Sequence, residues 1–490
     1  MKKLACFLAL VTACGSVSSN DDRVDGGGGD GQNDPPTDVE LSAAEVEEQA
    51  SPGTRIGLLT AVDADASDQH TFALVDDGGG LFAISGDRLE VAPGAVLNYE
   101  TGASVTVTIE ATDEGDLSTE KDFEVEILDL REVVNTLNDG EGSLRQNIAD
   151  ADPGETILFE SGLDPSISVN GPLLLTKNVT IRGPLPPDEI VLDALENNRV
   201  FEISVAANVT LQNLRLRGGS ASSGGAIQNQ GKLLIERSVI EDSIATGSGR
   251  GGAVHNSGTL VARDTSFLRN QGFNGGAIAA DSPDGTTFER CSFLNNETTG
   301  NSGGAIVGGY LKVINSTFYQ NVASDETQDR VGGAIGLFYP DNEILFSTIS
   351  GNTADGPGGG IYCSSSEDGP ISLTLRGSIV AGNGAPSGAD IGLGTDCNVT
   401  AEHNAISVAD GHDVTDGDGG NVVGTAIPLG EPGANGGLTP TMVPDDGVPS
   451  IDLVPAASCT NLEGDPLEVD QRGEARPGGD DCDAGSLEQE

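Results

Sequence analysis

Gly275-Gly276-Ala277-Ile278, Cys291-Ser292-Phe293-Leu294-Asn295-Asn296 and Gly303-Gly304-Ala305-Ile306 follow one another along the chain, and this stretch decides the fold because its two motifs recur. Gly-Gly-Ala or Gly-Gly-Gly triplets begin at Gly224, Gly251, Gly275, Gly303, Gly332 and Gly358, at intervals of 27, 24, 28, 29 and 26 residues. After each glycine pair comes a short β-rich run, then a six-residue motif ending in Asn or Ser. A period in the twenties with short strands and no helical spacing is the signature of a β-solenoid, in which each repeat forms one coil.

Stacked coils turn sequence columns into physical ladders with rungs about 4.8 Å apart. Ser238, Thr265, Cys291, Ser316, Ser347 and Ser378 form a column of small residues, which places Cys291 as a buried rung. Ile240, Phe267, Phe293, Phe318, Ile349 and Val380 form the apolar stack that fills the interior. Ser243, Asn270, Asn296, Asn321, Asn352 and Asn383 form a turn ladder of the kind in which stacked amides hydrogen-bond.

The paired motifs resemble the Gly-Gly-Ala-Ile and Phe-x-x-Asn signatures of polymorphic outer-membrane-protein repeats. That resemblance implies a right-handed parallel β-helix on a bacterial surface, often adhesive. The segment from Leu137 to Ile148, containing Ser143-Leu144-Arg145-Gln146-Asn147-Ile148, is similar to the Ser-Leu-Arg-Glu-Ala-Ile opening of many exported β-helix proteins, with Gln146 and Asn147 replacing Glu and Ala. It reads as a short helix over Ser143 to Asp150 that covers the first coil, since an open β-edge invites aggregation. Asn435-Gly436-Gly437-Leu438-Thr439-Pro440-Thr441, Asp470-Gln471-Arg472-Gly473 and Asp483-Ala484-Gly485-Ser486-Leu487-Glu488 resemble a C-terminal choice-of-anchor module, expected here to cap the helix.

Composition narrows the partners. The chain of 490 residues carries 77 acidic against 24 basic residues, a formal net charge of −53. Such a surface repels nucleic acid and anionic membranes and suits divalent cations. Seventy glycines, no tryptophan and few aromatics fit many short strands joined by tight turns. At the N-terminus, Met1-Lys2-Lys3 and the apolar run Leu4 to Val11 read as a signal peptide, too short to span a bilayer. Val11-Thr12-Ala13-Cys14 resembles a lipobox, which implies cleavage before Cys14, lipidation of its thiol, and membrane association through that anchor only. The alternative is an ordinary signal peptide cleaved nearby. Ser16 at the second mature position points to the outer membrane or cell surface. Of the remaining cysteines, Cys459 and Cys482 are the first disulfide candidates and Cys363 with Cys397 the second.

Residues 33–130 read as a β-sandwich. Thr54 to Leu59 and Ser104 to Ile109 are β-rich runs bounded by turns, and Phe123-Glu124-Val125-Glu126-Ile127 alternates apolar with acidic. Val46 to Thr54, Ala61-Val62-Asp63-Ala64-Asp65, Leu97-Asn98-Tyr99-Glu100 and Ala111-Thr112-Asp113-Glu114-Gly115 occur in the order and spacing of a cadherin repeat, which they resemble over nearly the whole domain. The resemblance implies calcium. Asp63, Asp65 and Asp113 would share one pole with Asp30, Asn33 and Asp34 of the preceding linker, since calcium needs six to eight oxygens from converging loops. Glu48, Glu100 and Asp129 would serve the opposite pole, where Asn98 replaces an Asp of the family and Leu-Arg-Glu follows Asp129.

The expected organisation is a signal peptide (1–13), a tether (14–32), a cadherin-like β-sandwich (33–130), a right-handed parallel β-helix of eight or nine coils with a helical N-terminal cap (131–425) and a C-terminal cap (426–490). The expected role is a calcium-binding, lipid-anchored surface protein, adhesive or structural, presenting the β-helix to surface polysaccharide or a neighbouring cell-surface protein. The alternative is a polysaccharide lyase or glycoside hydrolase. Against it, Glu236, Arg263 and Glu289 beside Arg237, Asp264 and Arg290 alternate in sign from rung to rung, as a stabilising ladder requires. His255 and His403 stand without partner acids at telling spacings, and Asp281 and Asp284 sit on a turn. No catalytic pair emerges.

Overall fold

The computed structural model describes residues 33–489 apart from 66, 67, 129, 325–329 and 366–368. Two compact units divide the chain between residues 129 and 130. The signal peptide, most of the tether, Cys14, Asp30 and Asp129 lie outside the described residues, as does the side chain of Glu100.

The first unit holds β1 (Asp38–Leu41), β2 (Glu45–Glu47), β3 (Arg55–Val62), β4 (Thr71–Asp76), β5 (Phe82–Ser85), β6 (Arg88–Val91), β7 (Ser104–Thr112) and β8 (Ser118–Leu128). They form two four-stranded sheets, β1-β3-β6-β5 and β2-β8-β7-β4. All pairs are antiparallel except β2 with β8. In β8 the alternation is realised as read: Val125 and Ile127 are buried between exposed Glu124 and Glu126. They join Val39, Leu59, Leu89, Leu97, Val107 and Ile109 in the core.

The second unit opens with Arg131–Val133, a strand of the solenoid, followed by α1 (Leu144–Asp150). Ser143 is the N-cap, its Oγ accepting the Gln146 N–H at 3.3 Å. Leu144, Asn147 and Ile148 are buried against the first coil, so the helix covers the end of the apolar core.

The solenoid has four parallel sheets. Among the described residues the first runs from Arg131–Val133 to Cys397–Glu402, the second from Ser166–Ser168 to Val422–Val423, each with eleven strands. The third has nine strands, from Leu173–Leu175 to Ile391–Leu393. The fourth has six two-residue strands, from Ser220–Ala221 to Thr353–Ala354. One coil, for example, uses Thr286–Glu289, Ser292–Leu294, Glu297–Thr298 and Ile306–Gly308 in turn. The stack makes about ten turns rather than eight or nine, or roughly 48 Å from ten rung spacings. The extra coils precede Gly224, where strands such as Val179–Arg182 and Asn208–Gln212 repeat without either motif.

Each motif has a physical reason. The first glycine of every triplet has a left-handed φ, from +57° at Gly224 to +77° at Gly358, which side chains rarely adopt. The second packs on the next coil: a Cβ on Gly276 would lie 2.0 Å from the Gly304 carbonyl oxygen. The interior column from Ile240 to Val380 is fully buried. Within it Phe267, Phe293 and Phe318 stack face to face at 4.8 and 4.6 Å, with Phe288 edge-on to the first two. Such pairs add about 0.5–1.5 kcal/mol beyond burial.

The C-terminal segment does not close the end of the solenoid. It lies along the outer side of the second sheet and the corner between the first and second sheets. Ile427, Val454, Cys459, Cys482 and Ala484 pack on Ile314, Leu345, Phe346, Ile379 and Ala405. Gln471 and Ser486 hydrogen-bond Thr317, and Ser486 also reaches Thr348 one coil further. The segment is thus a lateral clasp. Its internal pairing consists of isolated antiparallel bridges such as Val454 with Cys482. Cys459 is bonded to Cys482 within it, and Cys363 to Cys397 across adjacent coils.

Candidate metal centre

The register of β4 against β7, Thr71 opposite Thr112, sets the geometry of one pole of the sandwich. It brings the loop before β4, which carries Asp63, Asp65 and Asp68, beside Asp113 at the end of β7. One carboxylate oxygen each of Asp63, Asp68 and Asp113 lies within 4.8 Å of the other two, the only such group among the described residues.

Backbone and linker hold these acids in place. Asp63 Oδ1 accepts the Asp65 N–H at 2.9 Å, and its Oδ2 lies 2.9 Å from His70 Nε2. Asp65 Oδ2 accepts the Asp34 N–H at 2.8 Å. Asp113 Oδ1 accepts the Gly115 and Leu117 N–H groups, and its Oδ2 accepts from Asn33 Nδ2 at 2.9 Å. Gly115 leaves room for that linker contact, because a Cβ there would lie 2.3 Å from Asn33 Nδ2. Asn33, Asp34, Asp63, Asp65 and Asp113 therefore meet at one pole.

The protonation behaviour separates donors from an orphan. The Asp65 N–H and then His70 hold the Asp63 carboxyl below the usual range. Burial opposes ionisation of Asp113, but the Leu117 N–H, Asn33 and the Gly115 N–H outweigh it and hold its carboxyl low. Asp68 goes the other way: burial, then the charges of Asp65, Asp63, Glu114 and Asp113, push it up. Its Oδ2 is buried and has no hydrogen-bond partner. Asp68 is the residue that sequence reasoning missed. It lies between the recognisable Asp63-Ala64-Asp65 and β4, and only its aspartate three residues beyond Asp65 could have drawn attention.

Residues 42–128 match the family model for the cadherin domain. Residues 346–364, which hold the Ser347–Asn352 motif and the Gly358 triplet, match the Chlamydia polymorphic membrane protein repeat. No curated protein matches the chain. Together the two matches fit an adhesive or structural β-helix protein of the cell-surface or outer-membrane type. No helix among the described residues is long and apolar enough to cross a membrane.

At the opposite pole Glu48 is fully buried, and its Oε2 accepts the Tyr99 N–H at 3.0 Å. Asn98 caps the short turn that follows, accepting the Thr101 N–H. Glu48 is the one candidate acid of that pole whose side chain is described, and it holds the Tyr99 backbone.

On the solenoid the charge ladder forms in part, because Arg237 turns away from Asp264 to Asn213 Oδ1 at 3.0 Å. Arg263 lies 3.0 Å from Glu289 and 3.7 Å from Glu236, and Arg290 pairs with Asp264 at 2.7 Å. His255 is not isolated. Its Nε2 lies 3.0 Å from Asp281, which Arg250 also pairs at 2.7 Å, and its Nδ1 lies 3.1 Å from Gln228 Oε1. These partners are 26 and 27 residues away, one coil on either side, so only the stacked rungs reveal them. His255 lies between buried Val254 and Asn256 on the outward face of the third sheet, its side chain 19% exposed and both ring nitrogens engaged by neighbouring rungs.

Proposed function

We propose that this chain is a calcium-binding, lipid-anchored surface protein with an adhesive or structural role, its solenoid presented to surface polysaccharide or a neighbouring cell-surface protein. The convergence of Asp63, Asp68 and Asp113 in a cadherin-like domain carries this reading. A hard divalent cation takes carboxylate and carbonyl oxygens at about 2.3–2.6 Å. The donor set fits: three carboxylates converge, and the orphaned Asp68 Oδ2 lacks a positive partner. Asp63, Asp68 and Asp113 would hold the ion, with Asp65, Asn33 and Asp34 beside them. The ion would neutralise mutual repulsion and tie the 33–34 linker to the β3–β4 and β7–β8 loops. In support of anchoring stands the Val11-Thr12-Ala13-Cys14 motif; the two family matches support the surface role.

The test is thermal melting of the full chain with calcium or chelator, beside Asp68→Asn/Asp113→Asn. At calcium about 100 times Kd, binding to the folded state adds about 2.7 kcal/mol. We expect a calcium-dependent rise in the first transition that the variant loses. The rise should weaken in acid, as protons compete for the same carboxylates. An equal response in chelator and calcium would overturn the reading.

A further inference from the structure

Where the chain turns from the second solenoid sheet into the two-residue strands of the fourth, a groove of about 760 Å³ runs along the stack. One wall is built from successive rungs: Asp193, Arg217, Asp242 and Arg269. Asp193 and Arg217 are register partners in adjacent strands, with Arg217 Nε 2.8 Å from Asp193 Oδ2. Arg269 grips Asp242 two-pronged, Nε to Oδ1 at 2.7 Å and one terminal nitrogen to Oδ2 at 3.0 Å. Both guanidinium groups remain open to solvent, their side chains 46% and 50% exposed. Leu195 and Ile244 add exposed apolar surface at 49% and 37%. Leu195 holds that exposed position with φ +56°, a backbone state that apolar residues rarely adopt.

We propose that this groove binds an extended, uncharged, β-linked polysaccharide lying parallel to the solenoid axis. The inference rests on the surface role proposed above and names the class of partner. Asp193 and Arg217 share one column and Asp242 and Arg269 the next, Arg217 itself lying opposite Glu241, so like groups recur two coils apart, about 9.6 Å along the axis at roughly 4.8 Å per rung. That period is close to the length of one extended disaccharide, so each repeat would meet the same set of groups. Guanidinium and carboxylate groups are planar and two-pronged, and pair with vicinal hydroxyls as donors and acceptors. The apolar patches suit the C–H faces of sugar rings. The lining carries four acids against two arginines, within a chain of net charge −53, which disfavours a polyanion. The volume lies within the range of specific ligand sites.

The experiment is affinity electrophoresis of the full chain in native gels containing soluble β-linked glucan or polygalacturonate. Two variants accompany it: Arg217→Ala/Arg269→Ala, and Leu195→Asn, which keeps the left-handed backbone accessible. We expect retardation by the glucan alone, weakened roughly tenfold or more by the arginine variant and several-fold by Leu195→Asn. Retardation should be equal with calcium and with chelator. Retardation by polygalacturonate alone, by neither polymer, or unchanged in both variants would overturn the proposal. If the calcium-dependent melt persists without retardation, the groove assignment fails alone; if retardation persists without the melt shift, the calcium reading fails alone.

Discussion

Asp390 accepts both the side-chain and the backbone N–H of Asn383 on one oxygen, at 2.9 and 3.3 Å. Asn383 is the last amide of a ladder in which each side chain donates to the next: Asn270 to Asn296, then Asn321, Asn352 and Asn383. An ionised carboxylate only accepts. Asp390 therefore fits the end of a ladder whose polarity the backbone fixes at each rung: Asn296 Oδ1 accepts the Asn270 backbone N–H, and Asn296 Nδ2 donates to the Phe267 carbonyl. Its other oxygen accepts from Ser407 Oγ and the Val408 N–H.

Asp390→Asn should be destabilising at neutral pH. An amide offers one acceptor where the carboxylate offers two, so its NH2 must face either Asn383 or the Val408 N–H. A buried donor left unsatisfied costs about 1–3 kcal/mol. Burial pushes the Asp390 carboxyl up despite its four donors. A raised folded-state pKa means that the fold binds the proton more tightly than the unfolded chain. Stability from this group is therefore gained as pH falls through the folded pKa toward the ordinary carboxylate value. The gap in melting temperature between the parent and Asp390→Asn should widen from neutral to mildly acidic pH. A gap that narrows would contradict this assignment.

Cys291 should behave as a mute member of a hydroxyl column. Its thiol is fully buried and pushed up to about 12, chiefly by burial. Sγ lies 3.4 Å from the Ala262 and Glu289 carbonyl oxygens, while Thr265 and Ser316 donate at 2.7 and 2.8 Å to the matching carbonyls of their own rungs. A thiol reagent should find Cys291 only after denaturation. Cys291→Ser should leave stability within about 1 kcal/mol, since it restores the stronger donor of its neighbours. Fast labelling of Cys291 in the native protein would show that the rung opens.

Gln471 should pin the clasp. Its Oε1 accepts from Thr317 Oγ1 at 2.7 Å, and its Nε2 donates toward the Cys291 carbonyl, Ser292 Oγ and Thr439 Oγ1. Each of these buried groups keeps one other partner, for example Pro440 for Ser292 and Ser486 for Thr317, so Gln471→Ala should cost about 0.5–1.5 kcal/mol for each hydrogen bond it removes. Limited proteolysis should then cut within 426–490 several-fold faster while 131–425 resists, because a segment held by few contacts opens locally. Equal cleavage rates would assign the clasp to the Ile427 and Val454 contacts instead.

Much of this protein was determined by sequence alone. Residues 224–383 specify the solenoid because stacking makes every rung meet its counterpart, so one glycine rule and one apolar column are written six times. The sandwich was legible from strand alternation and from the spacing of Asp63, Asp65 and Asp113. The Ser143-capped helix was legible because its signal is local. Only the tertiary structure decided the rest. Asp68 joins the acids because the β4–β7 register draws its loop against Asp113, and no spacing rule encodes a loop's path. His255 finds Asp281 and Gln228, and the groove gains its two-rung period, only once coils of unequal length are stacked. The C-terminal segment lies along the solenoid rather than over its end because Gln471 and Ser486 meet partners 138 to 180 residues away. Such pairings depend on which surface remains uncovered after the coils have closed, and no local pattern carries that information.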